Sequence, residues 1–200
     1  MKEVLPGIHT WSVYSHDKGL DFNGHLVANS DGCVLIDPPA PTSDAMVRMG
    51  QIGPPKAIII TNRHHTRESG IFAAHWKIPI MVHEADALDI PPNVRLGGVF
   101  KDGDRLASGL QVVTLAGQKS PGESALLCSR SNALILGDAL LGKPAGKLSM
   151  LPDDKYADPD AARAGLERLL ELRFEAVLVG DGASITTSGR KAIEELLSGG

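Results

Sequence analysis

The chain has 200 residues, of which 42% are hydrophobic and 22% charged, and its formal net charge is −4. This is the composition of an ordinary soluble globular protein, and its length fits one domain over residues 1–200. The small negative charge gives no reason to expect nucleic acid as a partner. No apolar run approaches the roughly 20 residues of a membrane span, and the first residues lack a signal-peptide core, so we expect a cytoplasmic location and no membrane partner.

The histidines are confined to one part of the chain. All seven lie at or before His83, so the residues after it supply no imidazole to a metal site. Cys33 and Cys128 each sit inside an apolar run, which predicts two buried thiols that pack as small apolar side chains.

Strands dominate the beginning of the chain. Apolar runs and turn residues predict a strand or strand pair over residues 4–14 and further strands over residues 22–28, 33–36, 57–60 and 80–82. Two helices are predicted between them, over residues 43–51 and 69–76. The first half therefore predicts a sheet accompanied by two helices.

The second half repeats this arrangement. Short strands are predicted within residues 99–115 and over residues 125–128, 133–136 and 176–179. One helix begins after the N-cap Asp158, with Pro159 in its first turn, and another covers residues 188–197. Two such halves pack sheet on sheet with their helices outside. We therefore predict an α/β fold with four layers, an αββα sandwich, whose halves meet near residues 98–101.

One loop is unusually rich in polar groups. It lies within the stretch TNRHHTRESG, Thr61 to Gly70, which follows the buried strand at residues 57–60. In α/β folds, such strand ends tend to carry the chemistry. The loop contains Asn62, Arg63, His64, His65, Arg67 and Glu68. A protein interior tolerates this density only if the groups pair with one another, with a ligand or with a metal.

Three later strand ends carry comparable polar turns. Gly117-Gln118, Gly137-Asp138 and Gly180-Asp181-Gly182 each follow a predicted strand. Together with the loop after Thr61, these strand ends resemble the metallo-β-lactamase-like superfamily. Its members carry T-H-x-H-x-D-H, G-H-x-x-G, G-D and G-H-G at these places, in this order. The resemblance covers nearly the whole chain and implies the same αββα sandwich.

The resemblance also implies positions for a metal centre. In that family two metal ions, usually zinc, activate a water that attacks an ester, an amide or a phosphoester. The ligand positions of one ion fall on Asn62, His64 and Gln118. Those of the other ion fall on Thr66, Arg67 and Asp181, and Asp138 bridges the two ions.

Most of these positions lack ligand chemistry. Amide oxygens such as those of Asn62 and Gln118 are poor zinc ligands, and the guanidinium of Arg67 cannot bind a cation. We therefore expect no tightly bound dinuclear centre. Zinc or another divalent metal at a reduced site is the alternative, with His64, Asp138 and Asp181 as its ligands.

Electrostatics suggests what replaces the metal. Asp138 and Asp181 are predicted to face each other in a buried pocket, where two unpaired carboxylates repel and are poorly solvated. Arg67 can supply the missing positive charge, so its guanidinium is predicted to contact Asp138 or Asp181. His65 is expected to face solvent or to support a ligand.

Two functional hypotheses follow. The first is a hydrolase of the superfamily with a reduced site, in which Asp138 and His64 are catalytic and the remaining cleft residues bind a small-molecule substrate: Asn62, His65, Arg67, Gln118 and Asp181. The second is a non-catalytic module that binds a small anion or a partner protein through the same pocket, because fold alone does not fix function. The sequence carries no signature of the substrate or of the oligomeric state.

Overall fold

Two β-sheets and four α-helices make up residues 1–199, the part of the chain that the structure, a computed structural model, describes. The first sheet contains β1 (Lys2–Leu5), β2 (Ile8–Ser15), β3 (Leu20–Asn29), β4 (Gly32–Ile36), β5 (Pro55–Ile60), β6 (Ile80–His83) and β7 (Leu96–Phe100). Its strands lie side by side in chain order. The pairs from β1 to β4 are antiparallel, and those from β4 to β7 are parallel.

The second sheet is smaller. It contains β8 (Gln111–Thr114), β9 (Ser124–Cys128), β10 (Ala133–Leu136) and β11 (Ala176–Val179). The strands β8, β9 and β10 are antiparallel, whereas β10 and β11 run parallel, with Leu136 opposite Val179. Parallel strands end at one edge of a sheet, so the polar turns that follow β10 and β11 are neighbours.

The four helices are α1 (Ser43–Ile52), α2 (Ser69–Trp76), α3 (Pro159–Leu169) and α4 (Gly189–Ser198). The Thr42 hydroxyl caps α1 by accepting a hydrogen bond from the Ala45 N–H. Asp158 caps α3 in the same way, and Pro159 opens that helix as the sequence predicts. None of the helices in residues 1–199 combines the length and the apolar character that a membrane crossing requires.

Side-chain alternation along the strands sorts the core into layers. In β5, Ile59 belongs to a cluster shared by the two sheets, whereas Ile58 and Ile60 pack with residues of α1 and α2. In β10, Ile135 points to the layer between the sheets, and its neighbour Leu134 packs with residues of α3 and α4. Successive strand residues point to opposite faces, so each sheet has one face on the other sheet and one on its helices. The predicted αββα sandwich is confirmed.

The structure refines the predicted boundaries. Residues 4–14 form parts of two strands, β1 and β2, joined at the Pro6-Gly7 turn. β3 begins at Leu20, ahead of the predicted start, because its pairing with β2 continues through Asp21 and Leu20, which lie opposite Tyr14 and Ser15. The first sheet ends with β7 at Phe100, inside the predicted junction near residues 98–101.

Asn23 of β3 fastens the two sheets together near the strand ends. Its backbone N–H donates to the Gly180 carbonyl at 2.7 Å. Its side-chain amide donates to the carbonyls of Val179 at 2.8 Å and Gly182 at 2.7 Å. Three hydrogen bonds thus join β3 to the end of β11, and this contact closes one side of the cleft described next.

Candidate functional site

A cavity of about 360 Å³ opens where the strand ends of the two sheets meet. Its walls combine apolar and charged side chains: Leu20, Phe22, Leu141 and Leu151, and Lys18, His64, His65, Arg67, Lys119, Asp138, Lys143 and Asp181. These residues come from the turn between β2 and β3, from the first residues of β3, and from loops that follow β5, β8, β10 and β11. The loops predicted to carry the chemistry therefore do meet at one place.

The loop after β5 is shaped by Asn62. Its side-chain oxygen accepts a hydrogen bond from the His64 N–H at 2.8 Å and so caps a short 3₁₀ turn, Arg63–His65. Asn62 is fully buried, and its amide nitrogen has no hydrogen-bond partner among the described residues. The turn directs His64 toward the open cavity and His65 into the protein.

His65 lies between two carboxylates. Its Nδ1 is 2.8 Å from Asp37 Oδ2, and its Nε2 is 3.4 Å from Asp138 Oδ1. Asp37 is itself held by Thr61, whose N–H and hydroxyl donate to it at 2.8 and 2.6 Å. Burial and the nearby Arg67 charge act to lower the pKa of His65, but the two carboxylates outweigh them and raise it to about 10. This raised pKa favours the imidazolium, whose Nδ1 donates to Asp37 and whose Nε2 faces Asp138.

Packing around His65 explains a glycine of the G-D-G turn. A Cβ atom on Gly180 would lie 2.6 Å from Cε1 of His65, a distance that side chains do not tolerate. Only glycine lets the end of β11 approach the imidazolium this closely.

Arg67 fills the region between β3 and β11. Its guanidinium pairs with the carboxylate of Asp181, as the charge argument predicts. It also donates to three backbone carbonyls, those of Asn23 at 2.7 Å, Asp37 at 3.1 Å and Gly180 at 3.1 Å. The Phe22 ring lies beneath it, with Cζ 4.8 Å from the ring centroid. The side chain is only 8% exposed, so this is a buried cation whose two terminal nitrogens are both hydrogen-bonded.

Asp138 faces two cations. Lys119 donates to its Oδ2 at 2.8 Å, and His65 lies on its other oxygen. Burial acts to raise the pKa of Asp138, but the hydrogen bonds and charges of His65 and Lys119 hold it well below its usual range. The pKa of Asp37 is likewise lowered, because His65 and Arg67 outweigh the effect of burial. Burial raises the pKa of Asp181, which the charges of His65 and Arg67 oppose.

These groups form one balanced set, which we call the ion-pair network: Asp37, His65, Arg67, Lys119, Asp138 and Asp181. It contains three carboxylates and three cations. Each carboxylate faces at least one cation through a side-chain contact. The network is therefore close to neutral with no other ion in it.

The residues present do not fit a dinuclear metal centre. His65, Asp138 and Asp181 do bring one ligand atom each to within 4.8 Å of one another. However, the carboxylates of Asp181 and Asp138 are already paired with Arg67 and Lys119. The family positions that would complete two metal sites carry Asn62, Thr66, Arg67 and Gln118, none of which supplies an imidazole or a carboxylate. Two divalent ions would also add four positive charges beside the cations of Arg67 and Lys119, which Coulomb repulsion opposes in a partly buried site.

Only some of the predicted site residues line the cavity. His64, His65, Arg67, Asp138 and Asp181 line the cavity. Partial burial and the Lys119 charge lower the pKa of His64, so this imidazole is neutral at neutral pH. It is the neighbouring His65, not His64, that joins Asp138 and Asp181 in the triad of ligand atoms.

Gln118 was expected in the cleft but points elsewhere. It is 2% exposed, and its amide nitrogen donates to the Ala162 carbonyl of α3 at 3.3 Å. The preceding residue, Gly117, has φ +70° and its carbonyl accepts from the Asp158 N–H at 3.0 Å. This turn aims the Gln118 side chain at the helix.

Three acidic or basic residues of the site were missed by sequence reasoning. Asp37 directly follows the predicted strand at residues 33–36 and received no role in the site, although β4 runs parallel to β5 and therefore ends beside it. Lys119 follows directly after Gln118 and takes the place in the cleft that was predicted for the amide. Glu123 is fully buried behind Asp138, with one oxygen accepting from the Ala139 N–H at 3.2 Å. Burial and the Asp138 charge raise its pKa, which favours the neutral acid.

Two further lysines stand at the cavity mouth. We call Lys18, in the turn between β2 and β3, and Lys143, in the loop after β10, the rim lysines. Both are exposed. The Lys143 ammonium approaches the Gly19 carbonyl at 3.5 Å, so the two segments meet. Within residues 1–199, neither rim lysine has a carboxylate within ion-pair distance.

Comparison with known proteins agrees with the architecture. A family model described as the metallo-beta-lactamase superfamily matches residues 1–199. The chain therefore belongs to the metallo-beta-lactamase superfamily. No curated protein gives a significant match.

Solved structures with the same fold are numerous. A metallo-beta-lactamase family protein from Thermus thermophilus is 20% identical with a TM-score of 0.74, over 98% of this chain and 80% of that one. TTHA1623, solved in a di-iron-bound form, is 28% identical with a TM-score of 0.71, over 91% and 96%. The DIM-1 metallo-beta-lactamase is 16% identical with a TM-score of 0.76, over 99% and 96%.

Proposed function

We propose that this chain uses its cleft to bind a small anionic molecule and works without the dinuclear metal centre of its superfamily. The observation that carries the proposal is the division of charge in the cleft. Every carboxylate of the ion-pair network faces a cation of the chain itself, while the rim lysines are left without a carboxylate partner among residues 1–199. The unsatisfied charge that faces the cavity is therefore positive, which favours an anion.

The positions that hold metal ligands in the family support the same proposal. Asn62 is a buried cap of a turn and Gln118 is bonded to α3, so neither amide faces an ion. Arg67 occupies its position with a permanent positive charge. We therefore assign Arg67, Asp181 and His65 a binding role, in which they form a rigid wall of the pocket. The residues that line this pocket come from both sheets of the single domain.

Metal content tests the first part of the proposal. The purified protein is to be incubated with zinc, iron or manganese, desalted and assayed by inductively coupled plasma mass spectrometry. We expect well under one equivalent of each metal. The double variant T66D/R67H, which restores two ligand types of the family motif, is the matched comparison and should retain more metal. Two equivalents of any metal in the native chain would overturn the proposal.

Anion binding tests the second part. Thermal unfolding is to be followed in phosphate, sulfate, acetate and benzoate against chloride at equal ionic strength. A ligand that binds only the folded chain raises the unfolding temperature in a concentration-dependent way. We expect at least one of the polyatomic anions to do so at millimolar concentration and to reach saturation, because sulfate and phosphate at higher concentration stabilise folded proteins without occupying a site. Unfolding temperatures that are the same in all five salts would contradict an anion-binding cleft.

A hydrolase with a single metal ion is the second candidate. It is favoured by the closeness of the ligand atoms of His65, Asp138 and Asp181, all within 4.8 Å of one another. The relative solved in a di-iron-bound form makes iron the metal to try first. This candidate expects one equivalent of metal, and ester or phosphoester hydrolysis that both Asp138→Asn and His64→Gln abolish. The anion-binding proposal expects no stoichiometric metal and no hydrolysis.

A further inference from the structure

We infer that the anion is a phosphate monoester carried on an apolar body, with the phosphate held by the rim lysines and the body inside the cavity. The inference rests on the proposed anion-binding function and adds the chemical class of the ligand. It follows from the charge at the mouth, from the state of the guanidinium that lines the cavity, and from the apolar part of the wall.

The charge at the mouth matches a dianion. Lys18 and Lys143 supply two ammonium groups, and the Lys143 ammonium lies 3.5 Å from the carbonyl of Gly19, the residue next to Lys18. Both lysines therefore flank the same opening. A phosphate monoester carries a charge of about −1.5 to −2 at pH 7, whereas a carboxylate carries only one. Lysine binds phosphate as a point charge and needs no fixed orientation to do so.

The state of Arg67 leaves the binding of an anion to the rim lysines. The two parallel N–H groups of an arginine recognise carboxylate and phosphate alike, whereas lysine binds phosphate as a point charge. Arg67 has already committed both of its terminal nitrogens, one to the carbonyls of Asn23 and Asp37 and the other to Gly180 and Asp181. No other arginine lines the cavity among the described residues. The cavity thus offers no free fork to either anion, and the two point charges of the rim lysines favour the doubly charged phosphate ester.

The apolar wall supplies the second half of the ligand. Leu20, Phe22, Leu141 and Leu151 line the same cavity as the lysines. At about 360 Å³ the cavity is at the small end of the range for organic ligands. Inorganic phosphate would leave most of this volume and all of the apolar wall unused. A phosphate ester of a ring or of a short hydrocarbon chain would use both, because burying apolar surface adds to the charge attraction.

Calorimetric titration with three probes tests the inference at constant pH and ionic strength: phenyl phosphate, inorganic phosphate and benzoate. We expect phenyl phosphate to bind about tenfold more tightly than either of the others, since only it engages both parts of the site. Phenol release is to be monitored in the same samples, so that turnover is not mistaken for binding heat.

Variants show which residues bind the phosphate and which bind the apolar body of the ligand. The double variant K18M/K143M should weaken phenyl phosphate about tenfold, whereas Lys147→Met, in the same loop but outside the cavity, should not. Leu151→Ala should weaken phenyl phosphate while leaving inorganic phosphate unchanged. Far-ultraviolet circular dichroism and the unfolding temperature of each variant establish that it is folded.

The outcomes separate the two proposals. If benzoate binds as tightly as phenyl phosphate, or if K18M/K143M binds phenyl phosphate as well as the native chain does, the phosphate ester class is wrong and anion binding survives. If none of the three probes binds and none of the anions shifts thermal unfolding, the proposed function fails as well.

Discussion

The ion-pair network and the rim lysines use the same kinds of charged groups in opposite ways. In the network, Arg67 is 8% exposed and meets a carboxylate and three carbonyls. At the rim, Lys18 and Lys143 are exposed and meet no carboxylate among residues 1–199. A buried charge must be compensated within the fold, whereas an exposed one is solvated by water and remains available. The comparison teaches that the charged groups of this cleft have two roles: those of the ion-pair network stabilise the fold, and the rim lysines are available to a ligand.

The largest effect is expected from Arg67→Ala. Removing one partner of a buried ion pair strands the other charge, which typically costs about 3–5 kcal/mol of the free energy of unfolding. Urea unfolding at pH 7 measures it. Arg63→Ala is the matched control, because Arg63 pairs with the exposed Asp89 and should cost less than about 1 kcal/mol. Equal stability of the two variants would contradict the buried network.

The next effect is a loss of stability at alkaline pH. The pKa of His65 is raised in the folded protein from its ordinary value of 6.5 to about 10. The stabilisation is therefore complete below pH 6.5 and declines as the pH rises toward about 10. Urea midpoints between about pH 6.5 and 9.5 should fall in the native chain and change little in His65→Gln. Parallel pH profiles for the two proteins would show that His65 is not charged in the fold.

Lys119→Met should have a smaller effect. Lys119 is 33% exposed, so solvent screens part of its attraction to Asp138. We expect a loss of about 1 kcal/mol in the free energy of unfolding at pH 7. Lys155→Met is the control, since its partner Asp154 is 69% exposed and the pair contributes almost nothing. A loss as large as that of Arg67→Ala would place Lys119 among the buried charges instead.

The smallest effect is expected from the rim lysines. Lys18→Met and Lys143→Met should each change the free energy of unfolding by no more than about 0.5 kcal/mol, as surface substitutions usually do. Thermal and urea unfolding without ligand measure this. If either variant lost several times that amount, the rim lysines would belong to the structural part of the cleft and the comparison would not hold.

Some of this arrangement could be predicted from the sequence because it depends on periodicity and charge. The alternation of Ile58, Ile59 and Ile60 between two core layers is a property of strands. The contact of Arg67 with Asp138 or Asp181 follows from the cost of facing carboxylates, once the strand ends are aligned by the family resemblance. The first prediction needs only the strand period and the second only the balance of charge, so both could be stated without coordinates.

The rest depends on turns that composition does not reveal. His65 was expected to face solvent or to support a ligand, but the 3₁₀ turn capped by Asn62 buries it between Asp37 and Asp138. Gln118 and Lys119 are adjacent, and the left-handed backbone of Gly117 decides which of the two enters the cleft. The role of Asp37 could not be predicted, because the two residues that contact it, Thr61 and His65, are 24 or more positions away in the chain. They come close only because β4 runs parallel to β5.

Because Asn23 joins β3 to β11, the cleft can bind a ligand only when both sheets are folded. Its backbone and side-chain amides bind Gly180, Val179 and Gly182, so the cleft wall exists only while both sheets are in place. A molecule that binds the assembled cleft therefore shifts the unfolding equilibrium of both helical layers together. A core defect introduced beneath α4, at a residue such as Ile193 that does not line the cleft, will appear in a titration as weaker binding, in proportion to the fraction of chains it unfolds.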